Sequence, residues 1–303
     1  MIINCEAISS RIEKFIREKV AEFQRDGVVL GMSGGIDSSL VGTLAVRALG
    51  SEKVLALMLP ERDSSPSSKT DALKVIKELK IDYREINLTP ILSTIGIYKM
   101  MPLQFLGLRS MKEAVVRESH RRYAEKIQEM PFRAGLLGTK GLGEAKEVIN
   151  AGNAYTRAKH RVRLLILYYI ADLENRLVLG TTNKSESKTG FVVKWGDNVA
   201  DIEPILPLYK TQVRQLSEYL GIHQDIIDKA PSPDLMPGIV DEFALGVDYE
   251  TLDQILWALE QGWAKSQIES TYAVELDLVE YVAEMSQRSQ HLREFPPEPQ
   301  IKF

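Results

Sequence analysis

A short apolar run, Val28 to Met32, leads at once into Ser33-Gly34-Gly35-Ile36-Asp37-Ser38-Ser39. Then Leu40, Val41, Leu44, Ala45, Ala48 and Leu49 recur at helical spacing until Gly50. Few local structures accommodate this string. An apolar run of that length bounded by glycine reads as a strand buried on both faces. Adjacent glycines permit positive φ and let the backbone approach an anion closely. The helix that follows opens with unpaired N–H groups at the positive end of its dipole. Ser33, Ser38 and Ser39 add hydroxyl donors. Together these make a cradle for phosphate or pyrophosphate. The plain alternative is a strand–turn–helix junction that Asp37 merely caps.

The flanking sequence repeats the same grammar. Ile8, Ile12, Phe15, Ile16, Val20 and Phe23 predict a helix over 8–23, with Ser10 and Glu13 as a capping box and Gly27 as its stop. Val54–Leu59 and Tyr83–Leu88 read as strands, Pro60–Ser68 as a polar loop and Thr70–Lys80 as a helix. Arg157–Leu173 is a further helix, and Arg176–Gly180 a fourth strand. Alternation of this kind predicts an α/β fold with a Rossmann-like, doubly wound parallel sheet. Leu208–Leu220, 248–260 and 264–285 are predicted helices, and the region from 248 to 303 is expected to add C-terminal helices and a tail. Gly135, Gly138, Gly141 and Gly143 lie within nine residues and predict a mobile loop, or a lid that orders on binding. No linker stands out, so 1–303 is expected to be one domain.

Composition excludes several function classes. With 38 basic against 42 acidic residues the net charge is −4, which speaks against a nucleic-acid binder driven by bulk electrostatics. One cysteine, Cys5, rules out an intramolecular disulfide framework and Cys-rich metal sites. His120, His160, His223 and His291 show no ligand spacing. The longest apolar stretch, Leu164–Ala171, is far short of the roughly 20 residues of a bilayer span. The start carries charge at Glu6, Arg11, Glu13 and Lys14 and resembles no export signal. The expected location is the cytoplasm, with no nucleic-acid or membrane partner. Asp37 would repel a bare phosphate, which points to Mg²⁺ bridging carboxylate and phosphate oxygens.

The SGGIDSS string resembles the PP-loop of ATP pyrophosphatases, which cleave ATP to AMP and pyrophosphate while adenylating a substrate. Further strings narrow the resemblance. Val178-Leu-Gly-Thr-Thr-Asn-Lys-Ser-Glu186, Thr189-Gly-Phe-Val-Val-Lys-Trp-Gly-Asp197, Ala200-Asp201-Ile202 and Leu208-Tyr209-Lys210-Thr211-Gln212-Val213-Arg214 are similar to NAD synthetases. So are Ala230-Pro231-Ser232-Pro233-Asp234-Leu235, Asp241-Glu242 and Leu245-Gly246. The resemblance covers 8–88 and 157–297. It implies a sheet of the adenine nucleotide α-hydrolase type and a homodimer. It implies ammonia-dependent amidation of deamido-NAD to NAD through an acyl-adenylate, with ATP as co-substrate and AMP and pyrophosphate released. By position, Gly31, Met32, Ser33, Gly34, Gly35, Ile36, Asp37 and Ser38 resemble the ATP-binding segment. Thr181, Lys210 and Ser232 resemble further ATP contacts, and Asp37 and Glu186 the Mg²⁺ ligands. Asp37, Glu186 and Lys210 would then carry the catalysis. Arg161, Lys194, Asp201 and His291 resemble residues contacting deamido-NAD.

The chain departs from the family pattern in places. A loop that usually reads Gly-Asp-Gly-Gly-Ala-Asp is Gly196-Asp-Asn-Val-Ala-Asp201 here, and a closing His-Lys-Arg is His291-Leu292-Arg293. Residues 98–155 are longer than the family needs and stand where it builds substrate, lid or dimer contacts. A different carboxylate substrate therefore stays open as an alternative; a non-catalytic nucleotide-binding module is a separate one, against which Asp37, Glu186 and Lys210 together argue. Glutamine-dependent members carry an extra N-terminal domain with a catalytic cysteine. A PP-loop at residue 33 leaves no room for one, so the expected nitrogen source is free ammonia or a separate glutaminase.

Overall fold

The apolar runs become four strands of one parallel sheet: β1 (Gly27–Gly31), β2 (Val54–Met58), β3 (Asp82–Glu85) and β4 (Arg176–Leu179), in the order β3-β2-β1-β4. The computed structural model describes residues 1–101, 107–138, 142–143 and 145–299. Val28 pairs with Val54 on one side and Leu177 on the other. Parallel pairing requires crossovers, and helices supply them: α1 (Cys5–Glu22), α2 (Ile36–Leu49) and α3 (Pro66–Leu79) precede α4 (Thr89–Thr94), α5 (Ile97–Met100), α6 (Arg109–Ile127) and α7 (Pro131–Leu137). The long α8 (Ala145–Leu173) leads into β4, and the short α9 (Lys184–Thr189) follows it. Then come α10 (Lys210–Tyr219), α11 (Gln224–Ile227), α12 (Asp241–Leu245), α13 (Tyr249–Glu260), α14 (Lys265–Tyr272), α15 (Leu276–Arg288) and α16 (Gln290–Arg293).

Strand alternation divides the core. Val28 and Leu30 pack with α1, α2, α3 and α10 through Ile16, Leu40, Leu44, Val75 and Val213. Val29, Leu55, Leu57 and Val178 face the other way, onto Tyr155 and Ile170 of α8 and Leu92 of α4. Both faces are covered, as a doubly wound sheet requires. A separate core, built on Tyr249, Leu252, Leu256, Val279 and Met285, holds the C-terminal helices. The chain reverses its direction across the sheet between β1 and β4. Ligands of open α/β sheets bind beyond the strand ends at such a point.

Several local expectations are corrected. Asn4, not Ser10, caps α1: its Oδ1 accepts from the Ala7 N–H at 3.0 Å. That start is available because Asn caps at least as well as Ser and brings one more turn into the helix. Gly27 does not stop α1. The helix ends at Glu22, Gln24 takes positive φ, and Gly27 opens β1 where a Cβ would meet the Lys53 carbonyl oxygen at 2.3 Å. The single helix expected over 264–285 is two, because Ala273 adopts φ 52° after α14. The glycine-rich loop is shorter than expected: Gly135 lies in α7 against Asn153 of α8, and α8 begins at Ala145 rather than 157. Gly138 and Gly143 do take positive φ, and Gly141 lies outside the described residues.

One detail at the β4 edge has a measurable consequence. The segment after Ala200 runs beside β4: the Gly180 N–H donates to the Ile202 carbonyl at 2.9 Å, and the Asp201 N–H to that of Val178 at 3.1 Å. Glu203 then folds against Gly180, where a Cβ would meet its Oε1 at 2.0 Å. Its Oε2 accepts from the Thr182 N–H at 3.3 Å, and buried Oε1 has no partner among the described residues. Burial pushes this carboxyl up to about 8 from an ordinary 4.5. The native state therefore keeps a proton that the unfolded chain releases. This contribution to stability is complete below the unfolded value and is lost as pH rises through about 8. Glu203→Gln is expected to raise Tm above that window and to change it less near the lower edge, as thermal melts across the pH range would read.

Candidate active site

The loop after β1 is shaped by sterics first. Gly34 has φ +77°, and a Cβ there would lie 2.4 Å from the Ser68 carbonyl oxygen and 2.8 Å from the Ala72 nitrogen. Only glycine fits both the backbone and the space. Gly35 is the N-cap of α2 without a side-chain cap of its own. Serines organise the turn: the Gly35 N–H donates to Ser33 Oγ at 3.2 Å, and Ser38 and Ser39 hydroxyls donate to the Gly35 carbonyl at 3.1 and 2.8 Å. Gly31 ends β1, and Met32 is pinned by its N–H to the Leu57 carbonyl.

Asp37 sits in the first turn of α2, and its partners come from the segment after β4 and from α10. Asn183 Nδ2 donates to its Oδ1 at 3.0 Å, and Lys210 Nζ to its Oδ2 at 2.5 Å. The same ammonium reaches Glu186 Oε1 at 3.3 Å. Three residues singled out from the sequence, more than 170 positions apart at the extremes, thus form one cluster. Its local causes are clear. Asn183 and Glu186 make a reciprocal capping box that starts α9, so Glu186 points back toward the strand end. Lys210 is the first residue of α10 and is 1% exposed.

Charge at the cluster is unbalanced. Asp241, at the start of α12, accepts from the Tyr249 hydroxyl at 2.8 Å, and its buried Oδ1 has no partner among the described residues. Burial pushes Asp241 up to about 6 and moves Glu186 upward as well. Burial works against the Lys210 charge, but Asp37 and Glu186 outweigh it and raise the ammonium above its ordinary range. One cation thus faces several carboxylates where water is scarce. Among the described residues no three His, Cys, Asp or Glu side chains could hold a metal ion by themselves.

Beside the cluster lies a cleft of about 210 Å³ over the ends of β1, β2 and β4. Leu57, Ala72, Leu164, Leu167 and Val178 give it apolar walls; Ser33, Ser65, Thr181, Asp197 and Asp234 give it a polar rim. Ser33, in the loop, and Thr181, two residues before Asn183, join cleft to cluster. Ser232 does not line the cleft; its Oγ donates to the Ile239 carbonyl at 2.9 Å and accepts from the Asp234 N–H, folding the 231–240 segment. Arg161, Lys194 and His291 are brought together: Arg161 donates to the Lys194 carbonyl at 3.2 Å, and Lys194 Nζ to the His291 carbonyl at 2.5 Å. Asp201 is engaged elsewhere, accepting from the Val178 N–H at 2.8 Å and the Tyr168 hydroxyl at 3.3 Å.

Some residues of the site were not singled out. Asn183 lies inside a quoted string, and its cap geometry gave it away only once α9 was visible. Asp253 of α13 was missed altogether. Fully buried, it accepts from the Ser185 hydroxyl and, at 2.8 Å, from the Thr211 N–H, while Ser185 Oγ accepts from the Lys210 N–H at 2.9 Å. This holds the starts of α9 and α10 side by side, and with them Glu186 and Lys210. A carboxylate on an amphipathic helix gives no sequence signal for such a task.

Comparison with known proteins identifies the family. The family model described as NAD synthase matches residues 8–101 and 127–296. The NH(3)-dependent NAD(+) synthetase of Coprothermobacter proteolyticus is 43% identical over 288 residues, 95% of this chain and 96% of its own. That of Methanocaldococcus jannaschii is 37% identical over 296 residues, 98% and 97% of the two chains. Among solved structures, an NMN synthetase from Francisella tularensis superposes with TM-score 0.72 at 26% identity, covering 99% of this chain and all of that one. An NH3-dependent NAD synthetase from Campylobacter jejuni superposes with TM-score 0.68, also at 26% identity, over 98% of this chain and all of that one. The family model over most of the chain and relatives at 37–43% identity across nearly its whole length mean that this chain belongs to the NAD synthase family.

Proposed function

We propose that the chain amidates the nicotinate carboxylate of deamido-NAD with ammonia, driven by cleavage of ATP to AMP and pyrophosphate. The observation that carries this reading is the ammonium of Lys210 held between Asp37 and Glu186 at the mouth of a glycine-serine loop. Adenosine would occupy the cleft, and the phosphates would pass over the loop toward the cluster. A carboxylate oxygen of the substrate attacks the α-phosphorus, the α–β phosphoanhydride breaks, and pyrophosphate leaves with the electron pair. Lys210 and the N–H groups at the start of α2 stabilise the charge that builds on the phosphate oxygens. Ammonia then attacks the acyl carbon, AMP departs, and the nitrogen loses a proton. Positioning and exclusion of water do the rest, with no covalent protein nucleophile.

The donor set fits Mg²⁺. Asp37 and Glu186 offer hard oxygens, the buried carboxylates outnumber the one cation, and two protein carboxylates completed by phosphate oxygens and water suit this ion. Asp37 and Glu186 would hold it, and it would neutralise phosphate charge when bound. Arg161, Lys194 and His291, drawn together at one edge, would face deamido-NAD. Asp201 would contribute there through the backbone it holds at β4. The nitrogen would come as free ammonia or from a separate glutaminase, in the cytoplasm where ATP is supplied. No described helix is long and apolar enough to cross a membrane.

A second substrate reading has one observation behind it. The Francisella neighbour is an NMN synthetase, and its TM-score is 0.72. A deamidated mononucleotide is therefore the competitor to assay beside the dinucleotide, and the higher kcat/KM decides between them.

The homodimer rests on α8. Leu165, Tyr169 and Leu173 are 59%, 59% and 65% exposed and recur every fourth residue, which places them on one face of the helix. Ile91 of α4 and Ile95 just after it are exposed apolar groups too. A contiguous apolar row on a self-complementary helix suits a two-fold contact. Replacing Leu165 and Tyr169 by glutamate is expected to yield monomers by light scattering, and an unchanged molar mass would refute the assignment.

Two variants test the chemistry. Asp37→Asn is expected to abolish pyrophosphate release without changing the far-UV circular dichroism spectrum. Lys210→Ala is expected to lower kcat by about 100-fold or more, the scale of losing one charge-stabilising donor in a dry site. A normal kcat from either protein would remove that residue from the mechanism.

A further inference from the structure

Lys159 is a fully buried lysine in the middle of α8 and lines neither the cleft nor the Lys210 cluster. All three of its N–H donors are used. They reach Glu61 Oε1 at 3.0 Å, Asp63 Oδ2 at 2.8 Å and the Leu235 carbonyl at 2.7 Å. Around it the charges balance. Arg62 pairs with Asp63 at 2.9 Å and donates to the Tyr155 hydroxyl at 2.8 Å and the Met101 carbonyl at 3.1 Å. The Tyr98 hydroxyl donates to Glu61 Oε2 at 2.8 Å, and the Tyr155 hydroxyl donates to Asp63. Burial alone would raise Asp63, but Arg62 and Lys159 hold it below its ordinary value.

A buried four-charge cluster is a poor way to add stability, because apolar side chains of similar volume often serve as well or better. What it does supply is fixed geometry. Two of the Lys159 bonds end on the segment after β2 and the third on the segment before α12. Both segments line the cleft: Pro60, Ser64 and Ser65 from the first, Pro233 and Asp234 from the second. The two segments meet again where both Asp234 carboxylate oxygens accept from the Ser65 N–H at 2.9 Å. The rim bond is exposed to competition from ligand and water; the Lys159 bonds beneath are not.

From this we infer that Lys159 is a positioning residue that fixes the two cleft-lining segments against each other and thereby tunes affinity for ATP, not for the carboxylate substrate. The inference rests on the cleft being the adenosine site. Its sequence signal is slight: Lys159 follows Tyr155 by four residues and shares its buried face, where a lysine has no business unless paired.

The test uses the full-length protein with ATP itself as probe. Lys159→Met alone would strand two buried carboxylates and invites misfolding. The deciding protein is Lys159→Met combined with Glu61→Gln, which removes one charge of each sign and leaves the Arg62–Asp63 pair. Its ATP Kd by calorimetry is expected to weaken by about tenfold or more, while the KM for deamido-NAD at saturating ATP stays within about twofold, since small misplacements away from the chemistry are felt by the ligand they position. An unchanged ATP Kd in this folded protein overturns the inference. So does a parallel loss for both substrates together with a large fall in Tm, which would mark Lys159 as structural only. Hydrogen exchange on the unaltered protein gives a second reading that needs no variant. ATP is expected to protect amides of 60–65 and 231–240 together, and protection of one without the other contradicts a shared tie. A cleft-filling Thr181→Tyr separates the two levels. If that change leaves ATP binding intact, the adenosine site itself is misplaced; if it abolishes binding while the double variant binds normally, only the role of Lys159 fails.

Discussion

The ammonium of Lys210 has almost no contact with solvent and lies 2.5 Å from Asp37 and 3.3 Å from Glu186. Such a cation costs a great deal to bury and persists only where it is surrounded by acceptors. Much of the fold serves that condition. The parallel sheet brings the start of α2 beside the end of β4, which delivers Asp37 to Asn183. The capping box of α9 turns Glu186 inward, and the start of α10 brings Lys210 between the carboxylates. The result is a positive centre backed by an excess of negative charge, the arrangement on which the proposed binding of a polyphosphate with a divalent cation rests.

The C-terminal helices are part of this arrangement rather than an ornament on the sheet. Asp253 of α13 ties Ser185 to the first turn of α10, and Tyr249 anchors Asp241 while its ring lies 5.2 Å from the Lys210 ammonium. Their own hydrophobic core makes these anchors rigid. Reacting groups held by packed, hydrogen-bonded supports can keep the near-attack geometry that a reaction without a covalent protein nucleophile depends on. The Lys159 cluster ties two cleft-lining segments in the same way.

Much of the fold was legible because its signals are local. The run Val28–Met32, the two glycines and the following helix predict β1, the turn and α2 nearly to the residue, and the alternation that follows predicts a parallel sheet. Asp37, Glu186 and Lys210 were legible because each stands in a string with fixed order. Boundaries set by competition between neighbours were harder to see. Asn4 against Ser10 at the first cap, and the break at Ala273, depend on which local geometry packs better. Least legible were Asp253 and Lys159. A charged residue on a helix reads as solvated unless its partners are known, and those partners lie 68 and 98 positions away. Asp201 shows the reverse: a residue in a familiar string whose carboxylate is held by the β4 edge.

The central claim is that a substrate carboxylate is adenylated at this loop before ammonia attacks. It is tested most directly with deamido-NAD labelled with ¹⁸O in the nicotinate carboxylate, in a single turnover with ATP, Mg²⁺ and ammonia. If the carboxylate oxygen attacks the α-phosphorus, one labelled oxygen must appear in AMP and none in pyrophosphate, with NAD formed in equal amount. Unlabelled AMP alongside NAD formation would mean that the carboxylate is activated in another way, and the role assigned to the Asp37–Lys210–Glu186 cluster would fall with it.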